Sequence, residues 1–291
     1  MAYVEIEDNQ LPKVYQPDFE TLKKATSESP YMEAAFCLLR EATHWLMLIA
    51  ALRPAEPLKR NDAILRGLVV RVCKLLRLTL RELNERETFQ QLSVSRDTIE
   101  TLATLVYLIG DDGTGVRFDQ YVMNSLVAER ELLRDIQQNI RRRSGETWPI
   151  EERMKRSIAA TAKAAGIDDV SQLPGRARIG YPSAEERIKL LGPSVYIGYR
   201  MGSVETHGDW NDVYRNHLSF EDGEFTPNLG SYDVRPQVPL MLVKISVTVL
   251  LGNIEHLASD EATTGFLEPR LKDLVKRAAD VDVLHERFLA A

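Results

Sequence analysis

The chain has little in it that would staple, anchor or plate it. Its 291 residues include two cysteines, Cys37 and Cys73, both inside apolar helical patterns, with no CxxC spacing and no histidine near either at metal-ligand spacing. A disulfide framework therefore has no support, and reduced buried thiols in a cytoplasmic protein are the expectation. Long apolar runs are missing too. The most apolar stretch, VPLMLVKISVTVLLGNI from Val238, is interrupted by Lys244, Ser246 and Thr248 and falls short of the roughly 20 residues that span a bilayer. It reads as a central core helix, and no membrane partner is expected. The opening MAYVEIEDNQLPKVYQPDF is acidic, with neither a basic start nor an apolar run, so it does not read as a secretory signal. No repeat of fixed period and no low-complexity segment occurs. The P-loop, the GxGxxG turn, the nucleophile elbow and paired-carboxylate spacing are absent, which removes support for kinase, dehydrogenase and hydrolase readings. An excess of positive charge is absent as well: 37 basic residues against 43 acidic ones leave a formal charge of -6. That balance argues against indiscriminate coating of nucleic acid, which is driven by phosphate neutralisation.

What remains is an ordinary globular composition, 44% apolar and 27% charged, long enough to bury a sizeable core. Ser29 is an N-cap candidate with Pro30 at the first helical position, opening a helix that ends before Pro54. Further helical patterns follow from Pro57, over SRDTIETLATLVYLIG, from Val116 to Arg143, from Pro149 to Ala165, and from Ser183 to Leu191. Pro193 suits the first turn of a helix ending near Gly208. SFEDGEFT, residues 219 to 226, alternates around Asp-Gly and predicts a hairpin. A core helix from Arg235 to Ser259 and a last helix from Gly265 to Leu289 complete the chain. The expected fold is mainly α, a multi-helix bundle with one small β-hairpin near residues 218–227. Residues 1–28 read as an N-terminal extension and 29–291 as a single helical domain with an ordered crossover loop at 166–182.

The segment YRMGSVETHGDW, residues 199–210, carries the densest chemistry. Seven helical steps separate Arg200 from His207, which returns them to within about 20° of one face, roughly 10.5 Å apart along the axis. Ser203 and Thr206 lie near that face. A fixed cation, a titratable imidazole and hydroxyls suit a phosphate ester, which arginine holds bidentately while histidine moves a proton. If Gly208 ends the helix, the dipole favours a protonated His207, and Glu205 and Asp209 act in the same direction. Two readings stay open: a reaction centre, or a polar corner in which Arg200 pairs with an acid and His207 satisfies carbonyls.

YRMGSVETHGDWNDVYRNHLSF, followed by DGEFTP and VRPQVPL, resembles the C-terminal half of an uncharacterised bacterial helical domain family, and Arg96 and Glu100 match that family's Arg-x-x-x-Glu helix. The resemblance spans roughly residues 30 to 260. The spacing of Arg200 and His207 also resembles the HEPN superfamily of helical, often dimeric nucleotide-binding proteins, many of them metal-independent ribonucleases. The resemblance implies that Arg200 polarises the scissile phosphate and that His207 serves as general acid and base toward the ribose 2'-hydroxyl. It further implies a homodimer, RNA or a nucleotide as ligand, no cofactor, and a toxin or defence effector with an antitoxin-like or other protein partner. The chain departs from the nuclease pattern at Met201, where a polar residue is usual.

Around this pair, Tyr199, Ser203, Glu205, Asp209, Trp210 and Asn211 form a supporting set. Arg96 and Glu100, four apart, suit an internal ion pair whose carboxylate orients Arg200 or His207, or a structural polar pair. His207, Asp209, Asp212 and His217 match no closed zinc spacing, so no metal is expected. His44, His256 and His285 are isolated. Arg71, Lys74, Arg77 and Arg81 make one basic stripe and Arg141, Arg142 and Arg143 another; both are phosphate contacts if RNA binds and solvated faces otherwise. Two function classes follow: a HEPN-like, metal-independent RNA endonuclease, or a non-catalytic helical module that binds a nucleotide, RNA or a protein.

Overall fold

A computed structural model describes residues 11–52, 57–86, 91–207, 209–230, 234–258 and 260–291, without the side chains of Met201 and residues 204–207. The chain is mainly helical, with one antiparallel hairpin among the described residues. In order come α1 (Phe19–Lys23), α2 (Ser29–Ala51), α3 (Arg60–Glu85), α4 (Gln91–Ile109), α5 (Val116–Arg142), α6 (Pro149–Ala164), α7 (Arg176–Ile179) and α8 (Ala184–Ile188). They are followed by α9 (Pro193–His207), α10 (Trp210–Asp212), β1 (Leu218–Glu221), β2 (Glu224–Pro227), α11 (Gln237–Leu251), α12 (Ile254–Leu257) and α13 (Glu261–Leu289). Two compact units result, one of Met1–Ile109 with Ala184–Ala291 and one of Gly110–Ser183. The second lies within the span that periodicity reads as one domain.

Local chemistry moves several helix ends from where spacing alone puts them. Glu28, not Ser29, occupies the N-cap position of α2, without a side-chain bond to the helix, and Pro30 falls in the first turn, where its missing N–H costs nothing. α13 begins at Glu261, earlier than the expected Gly265, because the Asp260 carboxylate accepts from Thr263 N at 2.7 Å. The expected single helix over 235–259 is broken. α11 stops at Leu251, Asn253 Nδ2 donates to the Val249 carbonyl at 2.6 Å, and a separate turn, α12, follows. The hairpin pairs Leu218 with Pro227 and Phe220 with Phe225. Its turn residues, Asp222 and Gly223, both have positive φ, 51° and 87°, the twist that a two-residue connection between right-twisted strands requires.

The core of the first unit is built from α2, α3, α4, α11 and α13. α2 alone among the described helices has the length and composition of a membrane span. Leu38, Leu39, Ala42, Trp45 and Leu46 are nonetheless buried in the core, so its apolar surface serves packing. Cys73 is buried, and burial pushes its thiol up to about 11, so it stays protonated.

One ionic network is sealed inside this unit. Arg277 of α13 and Glu41 of α2, 4% and 2% exposed, form two parallel bonds of 2.8 and 2.7 Å. Arg277 also donates to Asp273 and to the Tyr15 carbonyl, while Glu41 accepts from Tyr15 N at 2.8 Å. The pair thus joins two core helices to the segment preceding α1. Removing one partner leaves a buried charge uncompensated. Arg277→Met is expected to lower the free energy of unfolding in urea by about 3–5 kcal/mol, and adding Glu41→Leu to recover most of it. A single variant as stable as the unaltered protein would show that the network contributes nothing.

In the second unit, α5 and α6 enclose Ile136, Ile158, Ala162 and Val170. The expected crossover loop carries a 3-10 turn at Val170–Gln172 and α7, and Arg130 donates to the Leu173 and Pro174 carbonyls at 2.5 and 3.0 Å. Between α5 and α6, Glu151 reaches back to Trp148 N at 2.9 Å and receives two bonds from Arg143, whose guanidinium lies 4.1 Å from the Trp148 ring centre. The Arg143 guanidinium, and after it the Trp148 N–H, hold the Glu151 carboxyl below its ordinary value. A depressed carboxylate contributes stability above its unfolded pKa of about 4.3, and that contribution is lost as pH falls through the folded value. Glu151→Gln is therefore expected to lower the thermal midpoint at pH 7, with the gap to the unaltered protein closing under acid. A gap independent of pH would sink this assignment.

Candidate functional site

α9 carries the 199–207 residues and lies along α4. Gly202 makes that approach, while Gly198, one turn earlier, faces Met241 of α11. A Cβ at Gly202 would sit 2.7 Å from Arg96 Cβ and nearer still to the Leu92 carbonyl oxygen; one at Gly198 would stand 3.0 Å from Met241 Sδ. The backbones of α4 and α9 are therefore in contact where any other residue would hold them apart. In the sequence this appears only as GYRMG, a small-x-x-x-small spacing that is easily read as weak helix propensity.

Above that contact, Arg96 places its guanidinium 5.1 Å from the Tyr199 ring centre and donates from Nη2 to the Tyr199 hydroxyl at 3.3 Å. Burial works against the Arg96 charge, but the Tyr199 bond and the Glu100 carboxylate outweigh it, and its pKa is raised. Tyr199 also stacks on Tyr196 at 6.3 Å. Glu100 pairs not with Arg96 but with the buried Arg187 of α8, at 4.0 Å. Spacing along one helix suggests the internal pair; the fold supplies a closer cation from another helix, and Arg187 goes unnoticed in the sequence because it sits among charged residues of the short helical pattern from Ser183 to Leu191.

Arg200 is exposed on α9, and among the described residues no hydrogen bond or ion pair holds it. Its charge is felt by Glu185, which Lys189 first and Arg200 last hold below the ordinary carboxylate value. Ser203 donates to the Tyr199 carbonyl at 3.2 Å. Asp209 caps α10, accepting from Asn211 N at 3.0 Å and Asp212 N at 3.2 Å, with Asn211 itself exposed. The side chains of Met201, Glu205, Thr206 and His207, together with Gly208, lie outside the described residues.

After α10 the chain makes one turn of π-helix, Val213–His217, before β1. It presents an aromatic surface that periodicity did not reveal. Trp210, Tyr214, Phe220 and Phe225 are each 41–61% exposed. Trp210 stacks on Tyr214 at 5.6 Å and meets Phe225 edge-on at 5.9 Å; Phe220 and Phe225 lie 4.5 Å apart across the strands. The buried Asp212 receives Asn216 Nδ2 at 2.8 Å and stands 3.7 Å from His217. Among the described residues no three His, Cys, Asp or Glu side chains gather as metal ligands.

The basic stripes divide. Lys74, Arg77 and Arg81 are exposed on α3, whereas Arg71 bonds Thr101 at 3.1 Å and stands 3.5 Å from Asp97. Arg141 and Arg142 are exposed, and Arg143 is held by Glu151. His44 is exposed, His256 borders a cleft beside Pro57 and Arg66, and His285 is sealed between Tyr31 and Phe288.

The glycine contact gives the site a direct test. Gly202→Ala is expected to cost about 1–3 kcal/mol of stability through overpacking. Gly67→Ala, on the open face of α3 with nothing within 4 Å, is expected to gain about 0.5–1 kcal/mol. Urea unfolding of both variants decides the matter, and a gain at Gly202 would contradict the close approach.

The family model described as "Family of unknown function (DUF5677)" matches residues 62–225, from the first turn of α3 into β2. No curated protein and no solved structure matches the chain.

Proposed function

We propose, taking as premise that the chain belongs to the DUF5677 family of unknown function, that it is an RNA endonuclease of the HEPN kind, working as a dimeric toxin or defence effector. The observation that carries this reading is the exposed Arg200, held by no hydrogen bond or ion pair among the described residues, on a helix whose opposite face is locked to α4 at Gly202. A solvated guanidinium on a rigid helix is suited to hold a phosphate bidentately. His207, seven residues on, takes the proton of the ribose 2'-hydroxyl as that oxygen attacks phosphorus, and the departing 5'-oxygen receives a proton in turn. A cyclic phosphate and a free 5'-hydroxyl result. Trp210 and Tyr214 offer base-stacking surface beside it. The hairpin turn, with Glu221, Asp222 and Glu224, repels phosphate, so the backbone track runs along Arg200 and the exposed Arg215 instead.

A second reading has its own observation. Ser203 and Asp209 are engaged in backbone bonds, which favours a non-catalytic module that binds RNA, a nucleotide or a protein through the same face. Purified protein given mixed RNA in EDTA distinguishes the two. The endonuclease reading expects cleavage that falls by about 10²–10⁴-fold in His207→Ala, with Arg200→Ala losing both cleavage and affinity. Binding without cleavage, lost in Arg200→Ala, supports the module. Equal cleavage by His207→Ala and the unaltered protein would remove His207 from the mechanism.

A further inference from the structure

A cleft of about 460 Å³ opens between α11, the last turns of α4 and the start of α9, within the size range of small-molecule sites. Its walls are apolar: Val106 of α4, Val195 of α9, and Met241, Ile245 and Val249, which share one face of α11 at helical spacing. Among the described residues, three polar side chains enter it, Ser194, Lys244 and Thr248, and no carboxylate does. Lys244 donates to Asp282 of α13 at 2.5 Å, and an ammonium with three donors keeps two for a ligand. Ser194 sits in the first turn of α9, a turn with no acidic residue, so its N–H groups and positive dipole end are not neutralised from within the helix.

We propose that this cleft binds an amphipathic carboxylate, an unbranched acyl chain lying on the Ile245 face of α11 with its carboxylate between Lys244 and the first turn of α9. Apolar walls without donors reject a polar body. Two spare donors of Lys244, whose charge is shared with Asp282, together with two hydroxyls and a helix N-terminus in the same cleft, suit an acceptor-only anionic head. The inference does not rest on the RNA reading, and its test uses no nucleic acid.

Calorimetric titration with hexanoate, octanoate and decanoate, each below its micellar concentration, is expected to show saturable binding that tightens about fourfold per added methylene. Decanoate should bind about tenfold more tightly than decan-1-ol, and Lys244→Met should abolish that preference while leaving the chain-length dependence. Thr248→Trp, which fills the cleft from the exposed side of α11, should end binding with the helical circular dichroism unchanged. Absence of saturable decanoate binding, affinity independent of chain length, or equal binding by Thr248→Trp would overturn the proposal. So would sedimentation showing a dimer that Thr248→Trp converts to monomer without any decanoate binding, which would assign the cleft to a second copy of the chain.

Discussion

How closely α9 can approach α4 governs everything presented by the 199–210 segment, and Gly202 sets that distance. With no side chain there, the α9 backbone rests on the Leu92 carbonyl and the stem of Arg96. The approach carries the Tyr199 hydroxyl to the Arg96 guanidinium and turns Arg200 outward. A methyl group at the contact would push the helix away by a large part of a bond length, and close-packed interiors have no slack to absorb it. The aromatic surface that follows, from Trp210 to Phe225, depends on the same placement, because α10 and the hairpin continue directly from α9.

The polar groups of this unit have two kinds of role. Arg277, Glu41 and Arg187 are buried charges whose partners come from distant parts of the chain. Such pairs are costly to break and seldom raise stability over an apolar replacement. Arg200, Lys74, Arg77 and Arg81 remain in water, where a charge is available to a ligand. The division between them cannot be drawn from residue type, since arginines occupy both sides of it.

Much of the fold was legible. Apolar residues at helical spacing located α2, α3, α4, α5 and α6, and Asp-Gly between alternating phenylalanines located the hairpin to within a residue. The differences lie at helix ends. Asp260 and Asn253 shift ends of helices through single side-chain bonds. Of the site, Arg200 and Tyr199 were visible as residues, but their different fates were not: one is solvated, the other clamped.

By itself the sequence determined which segments are helical, where the one hairpin turns and which residue types crowd into 199–210, because periodicity, turn stereochemistry and composition act over a few residues. Only the tertiary structure decided that Glu100 pairs with Arg187, that Ser203 bonds its own helix, that Gly202 is a contact point and that a cleft opens beside Lys244. Those outcomes depend on distances between helices far apart in the chain, and such distances arise from packing that no local pattern encodes.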